Sequence, residues 1–373
     1  MEKNKKISEL FEFLPKSKRN AKYGQETGIY PFFASSNVVS KFVDKPDFTR
    51  NKLIIGDGGT ASINYADKDF SCSDHCYILK PKIEKELNCK YVYWYLYTNL
   101  HILEAGFKGI GIKNISKTFV QNVEIPMPDI NKQNEIVTLL DKVDEIRVKK
   151  KQANEKLDEF LKSTFIDMFG DPKSNSMNWP QEIFSKITSS RLGKMLDKKQ
   201  QTGEHQKKYL ANFNVQWFRF DLTNLNEMDF NIADQKEFQL LENDVLMCEG
   251  GEIGRCAIWK NDLADCYFQK ALHRIRCNTE YLKAEYLVFY MYLMAKQNAF
   301  DSIIGSKATI AHLTGEKLKQ LRIMLPPIKL QNEFAIIFNK VEAQKQKNEQ
   351  VIEQMDNLFN SLSQKAFNSS ANF

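Results

Sequence analysis

The chain has 373 residues, enough for two globular domains with further elements, and its 42% hydrophobic and 27% charged residues are ordinary proportions for a soluble globular protein. No run of about 18 apolar residues occurs, which excludes a membrane-spanning helix. Met1-Glu-Lys-Asn-Lys-Lys6 is basic but leads into no apolar stretch of the secretory kind, so a cytoplasmic protein is expected.

Residues 1–130 read as short strands and turns. Lys52-Leu-Ile-Ile-Gly-Asp-Gly-Gly59 predicts a strand running into a glycine turn, and Cys76-Tyr-Ile-Leu-Lys80 predicts another strand. Tyr91-Val-Tyr-Trp-Tyr-Leu-Tyr97 predicts a buried aromatic helix; aromatic runs can also serve as stacking platforms for bases. Residues 170–328 repeat this order. Asp244-Val-Leu-Met-Cys-Glu-Gly-Gly251, Ala271-Leu-His-Arg-Ile-Arg276 and Tyr286-Leu-Val-Phe-Tyr-Met-Tyr292 stand in the same succession, and His75 and His273, 198 residues apart, are expected at equivalent places.

The repeat is strongest at the domain ends. Val123-Glu-Ile-Pro-Met-Pro-Asp-Ile-Asn-Lys-Gln-Asn-Glu135 aligns with Leu321-Arg-Ile-Met-Leu-Pro-Pro-Ile-Lys-Leu-Gln-Asn-Glu333, and the match runs without a gap to Phe169 and Phe367. A period of 198 residues is too long for a solenoid unit and implies two copies of a domain-plus-helix module. The expected boundaries are 1–130, 131–169, 170–328 and 329–373.

Both helical stretches carry an apolar period of 3.5. The first places Ile136, Leu139, Val143, Ile146, Leu157 and Phe160 on the predicted helix–helix interface; the second places Phe334, Ile337, Val341, Met355, Leu358 and Leu362 there. Polar Lys150, Gln344 and Asn348 interrupt the seams midway, as residues that fix register do. A sharp break at Phe169-Gly170-Asp171-Pro172 and a short proline lead-in at Leu325-Pro326-Pro327 favour an antiparallel pairing without a long crossover. The expected fold is α/β (α+β), with two globular heads, an antiparallel coiled coil and an internal pseudo-two-fold axis.

Net charge is +6, and both helical stretches are neutral, with eight charges of each sign in 131–169 and five of each in 329–367. The excess lies mainly in the heads, +4 in 1–130 and +2 in 170–328, a modest bias suited to phosphate contact. Seven cysteines contain no C-x-x-C pair, and Cys72-Ser-Asp-His75-Cys76 lacks a second ligand pair at zinc spacing, so reduced structural thiols are expected and no metal site.

These residues resemble a known family. Ile125-Pro-Met-Pro128…Gln133 and Leu325-Pro-Pro327…Gln331, with Met168-Phe-Gly-Asp-Pro172 followed by Asn178-Trp179, resemble the proline-glutamine motif and domain junction of the specificity subunit of type I restriction-modification systems. Each copy keeps only part of the double proline. The resemblance covers essentially the whole chain. It implies that each head is a target-recognition domain for one half of a bipartite double-stranded DNA sequence. The helices would set the spacing and dock two methyltransferase subunits that use S-adenosylmethionine. Restriction subunits requiring ATP and Mg would join for cleavage. This chain would bind no cofactor and catalyse nothing.

The residues agree with that reading of the chemistry. There is no Asn/Asp-Pro-Pro-aromatic tetrad for a flipped adenine and no G-x-x-x-x-G-K-[ST] phosphate loop. Asp57 and Glu249, before the paired glycines, read as turn acids. Basic and hydroxyl residues in or beside the loops are the DNA candidates: Lys80, Lys82, Lys108 and Lys113 in the first head, and Arg255, Arg274, Arg276, Ser306, Lys307 and Thr309 in the second. A scaffold with two heads that bind something other than DNA is the competing expectation.

Overall fold

Leu53, Ile54 and Ile55 form an unbroken apolar run, and in the computed structural model, which describes residues 3–197, 201–300 and 312–368, all three are fully buried. Such a run has no polar face to leave in water. Lys52–Gly56 accordingly lies inside a four-stranded antiparallel sheet, in the order Phe11–Phe13, Cys76–Pro81, Lys52–Gly56, Ile63–Ala66. Leu53 and Ile55 pack towards the helix Cys89–Thr98. Ile54 packs in a second cluster with Phe33 and Cys72, from a three-stranded sheet of Lys41–Val43, Tyr30–Phe33 and Ser71–Cys72.

The second head repeats this plan. Its four strands are Thr188–Leu192, Leu272–Cys277, Val245–Cys248 and Cys256–Ile258. Val245 and Met247 pack with the helix Ala284–Lys296. Leu246 and Cys248 pack with the sheet of Asn226–Asp229, Gln206–Leu210 and Tyr267–Phe268. The aromatic runs are core: Tyr91, Trp94, Tyr286 and Phe289 are all buried.

Strand register corrects one expectation. Gly56 pairs with Cys76 and Cys248 pairs with Leu272, so Ala271 occupies the place of His75, and His273 the place of Tyr77. The 198-residue offset holds in the long helices, but loop lengths make it 192 between Gly56 and Cys248 and 196 between Cys76 and Leu272. His75 is exposed, whereas His273 is buried.

Residues Met1–Gln152 with Asn348–Phe373 form one compact unit, and Ala153–Lys347 the other. Each unit therefore contains part of both long helices, Ile130–Phe169 and Ile328–Asn368. In the first unit Ile136, Val137, Leu140 and Val143 pack with Phe359 and Phe367. In the second, Leu161, Phe165 and Phe169 pack with Phe334, Phe338 and Val341. Leu157, Ile337, Met355 and Leu362 border these clusters, half-buried.

The remaining expected interface positions lie off the seam. Leu139, Ile146, Phe160 and Leu358 stay exposed and join no core cluster. The seam instead passes one residue further on, through Leu140, Arg147, Leu161, Phe338, Lys345 and Phe359. Leu139-Leu140, Phe160-Leu161 and Leu358-Phe359 are adjacent apolar pairs, so either member satisfies a heptad. The deciding positions are charged: Arg147 pairs with Asp356 at 2.7 Å, and its counterpart Lys345 pairs with Asp158 at 2.6 Å. Aliphatic stems of such side chains can cover apolar surface while the charge is neutralised.

Lys150 Nζ donates to Asn348 Oδ1 at 3.2 Å. These residues occupy the same position of the repeat. The polar break in the seam is thus a specific cross-helix hydrogen bond that fixes antiparallel register.

Candidate nucleic-acid interface

The proline-glutamine motif fastens each head to its helix. Gln133 is buried; its Nε2 donates to Pro128 O at 2.9 Å and Glu86 O at 3.3 Å, and its Oε1 accepts from Asn88 N at 2.9 Å. Gln331 does the same with Pro326 O at 2.8 Å, Tyr281 O at 2.9 Å and Lys283 N at 3.0 Å. Tyr91 Oη donates to Pro126 O at 2.9 Å, and Tyr286 Oη to Met324 O at 3.0 Å. A buried amide that meets three backbone groups fixes a chain crossing in a way no apolar residue could. At the far end of the first helix, Trp179 Nε1 donates to Phe169 O at 3.0 Å and Gln297 Nε2 to Asp171 Oδ1 at 2.8 Å. The family-like residues of the sequence are therefore joints.

In the first head, strand Lys52–Gly56 delivers the double glycine to a cluster of loops. Asp57 accepts a hydrogen bond from Lys16 Nζ and meets His75 Nδ1 at 3.2 Å. Ser35 Oγ donates to Gly58 O at 2.5 Å, Gly59 N to Lys113 O at 2.9 Å and Ile115 N to Asp57 O at 3.0 Å. These bonds tie the turn to the hairpin formed by Phe107–Lys108 and Asn114–Ile115. Lys108 and Lys113 are exposed at either side of its tip, brought together by a tethered loop. Nothing in the sequence marked Lys16 as a partner of Asp57.

Lys80 and Lys82 lie elsewhere, on and just after the strand Cys76–Pro81. Lys80 is exposed, and Lys82 Nζ donates to Ser8 O at 2.7 Å. Lys52 is buried and held by Thr49 O at 2.7 Å. Burial, then the charge of Lys80, holds its ammonium below the ordinary value.

The second head treats the equivalent positions differently. Asp244 stands where the first head has Lys52, and Arg276 where it has Lys80. Arg276 grips buried Asp244 with two bonds, at 2.6 and 3.1 Å. Arg274 donates to Glu237 O at 2.6 Å and covers the Phe268 ring at 5.6 Å. Arg255 donates to Asn212 O at 3.1 Å and Asn212 Oδ1 at 3.0 Å. All three arginines make hydrogen bonds within the head itself. Short strands with glycine turns supply carbonyls and carboxylates at guanidinium distance, which the sequence could not show. Ser306, Lys307 and Thr309 lie outside the described residues.

His273 Nε2 is 3.1 Å from Leu313 O. A carbonyl only accepts, so Nε2 carries the proton. Burial holds this imidazole below its ordinary value. In the first head, Tyr77 Oη donates to Ile115 O at 3.1 Å from the same strand position. Ile115 and Leu313 are equivalent, since their amides donate to Asp57 O and Glu249 O respectively. Among the described residues no three His, Cys, Asp or Glu side chains group to hold a metal, and no helix is long and apolar enough to cross a membrane.

Comparisons with known proteins agree with this doubled construction. Residues 2–159 and 185–355 both match the family described as Type I restriction modification DNA specificity domain. The putative type I restriction enzyme specificity subunit S.HindORF215P of Haemophilus influenzae is 24% identical over 334 residues, covering 85% of this chain and 81% of the relative. The crystal structure of the S subunit of a type I restriction-modification system from M. genitalium aligns with TM-score 0.69 at 17% identity, over 98% of this chain and 96% of that one. A chain from a structural study of complex assembly and conformational transition of the type I restriction-modification system aligns with TM-score 0.52 at 14% identity, over 98% and 97%. The chain belongs to the type I restriction-modification DNA specificity family, the non-catalytic specificity subunits of these systems.

Proposed function

We propose that each head reads one half of a bipartite double-stranded DNA target, residues 1–130 one half and 170–328 the other. The observation that carries this reading is the duplicated joint: Gln133 and Gln331 make the same three backbone contacts, so each head is fixed to a helix of similar length in the same way. Two separately anchored heads with different loops suit a target of two unlike halves. The tethered hairpin with Lys108 and Lys113 is the favoured contact element of the first head, with Lys80 and Lys82 as further phosphate contacts. In the second head, Arg255, Arg274 and Arg276 would support the contacting loops from within, with Ser306, Lys307 and Thr309 as candidate contacts.

The long helices act as a spacer. Forty residues at about 1.5 Å each give roughly 60 Å. Leu139, Ile146 and Leu358 in one unit, and Phe160 and Ile336 in the other, offer exposed apolar surface to two methyltransferase subunits. Those partners would supply S-adenosylmethionine chemistry, and restriction subunits would bring ATP and Mg. The test is a change of length. One heptad inserted into each helix, at matched positions between Val148 and Ala153 and between Gln346 and Val351, preserves the seam and lengthens it by roughly 10 Å, about three base pairs. Mapping of methylated adenines should show both half-sites unchanged and their spacing increased. An active variant with unchanged spacing would exclude the spacer role.

A further inference from the structure

The hairpin of the first head carries two apolar side chains that the head itself does not use. Ile110 is fully exposed and Ile112 is 77% exposed, at the tip between Lys108 and Lys113. The base below them is held: Gly59 N donates to Lys113 O, Ile115 N to Asp57 O, and Tyr77 Oη to Ile115 O. Gly109 and Gly111 have φ of +137° and +89°, and a Cβ on Gly109 would lie 2.8 Å from Ile112 O. Glycine is therefore required to close this turn. A single exposed isoleucine is ordinary. Two on a four-residue tip, flanked by exposed lysines and anchored at the base, form a small apolar point on a cationic mount.

We propose that Ile110 and Ile112 are specificity-determining residues of the first head that touch thymine C5-methyl groups in the major groove, with Lys108 and Lys113 on flanking phosphates. This rests on the DNA-reading function proposed above. The argument is one of chemical matching. Isoleucine has no donor or acceptor, so it cannot read the polar edges of bases. The distinct apolar group at a base edge is the thymine methyl, which projects only into the major groove, and that groove is about 12 Å wide and admits a two-stranded ribbon. The flanking ammonium groups favour a nucleic acid over an apolar protein surface.

The test uses the full chain assembled with its methyltransferase subunits and DNA bearing both half-sites. Each thymine of the first head's half-site is replaced in turn by deoxyuridine, which removes only the methyl. The wild-type complex should lose about fourfold in affinity per contacted methyl, the transfer value of one buried carbon group. The Ile110→Ala/Ile112→Ala variant should bind thymine and deoxyuridine DNA alike, while Lys108→Ala/Lys113→Ala should weaken both equally. Indifference of the wild type to deoxyuridine at every position would overturn the proposal, and so would an isoleucine variant that keeps the penalty. Failure of that variant to assemble without DNA would overturn it too, by making the tip a protein contact. A wild-type complex that does not distinguish its half-sites from scrambled DNA would instead sink the DNA-reading function itself.

Discussion

The two heads share a framework and differ in how each position is held. Strand Cys76–Pro81 reaches the carbonyl of Ile115 with the Tyr77 hydroxyl; strand Leu272–Cys277 reaches the carbonyl of Leu313 with the His273 imidazole. One edge carries Lys52 and Lys80, of like charge; the other carries the ion pair Asp244–Arg276. The joints to the helices, by contrast, are the same amide with the same three kinds of backbone partner. The comparison teaches where duplication leaves freedom. Contacts that fix a head to its helix keep their chemistry, because a buried amide must satisfy all its partners at once. Contacts that brace the loops keep only their geometry.

The largest expected effect tests the shared part. Gln133→Ala and Gln331→Ala each leave backbone groups buried without partners, and each should cost about 3 kcal/mol. Hydrogen exchange at Asn88 and Lys283 should report similar losses. A loss at one joint alone would break the equivalence. The seam comes next. Arg147→Ala leaves carboxylates that water already reaches and should cost about 0.5–1 kcal/mol by chemical denaturation, whereas Lys345→Ala leaves Glu342 buried without its cation and should cost about 1–3 kcal/mol. Lys345 is held above its ordinary value: burial alone would lower it, but Glu342 and Asp158 raise it further, so its variant should be the worse.

The smallest effect separates the heads. His273 is neutral in the folded protein, with its proton affinity lowered by burial. Unfolded chains take up a proton near pH 6.5. The stabilisation is therefore complete above that value and declines as pH falls through it, because the unfolded state then binds the extra proton. Lowering the pH from 7.5 to 5.5 should therefore destabilise the second head from this source. Tyr77 gives the first head no such dependence in that range. Exchange protection of Val245–Cys248 and Lys52–Gly56, compared at the two pH values in wild type and His273→Gln, measures it. Equal acid sensitivity of both strands, unchanged in the variant, would contradict the account.

Much of the framework was legible in the sequence. Leu53-Ile-Ile55 and Val245-Leu-Met247 are continuous apolar runs before double glycines, and both are central strands. The helices were visible from their 3.5-residue period. Their seam was legible except at Leu139, Ile146, Phe160 and Leu358, because residues such as Leu139 and Leu140 are equally apolar and only the ion pairs of Arg147 and Lys345 select the second position. The arginines were less legible. A guanidinium in sequence is equally a phosphate contact or an internal brace, and the difference for Arg276 is a carboxylate 32 residues away. Ile110 and Ile112 lay between the lysines singled out, but exposure is a property of the folded turn.

Whether the heads read DNA separately is tested most directly by exchanging one. Residues 1–130 are replaced with the equivalent head of another type I specificity subunit, and methylated adenines are mapped in cells carrying the assembled system. The account predicts that one half of the recognised sequence changes while the other half and the spacing persist. A chimera that is active but alters both halves, or neither, would contradict it.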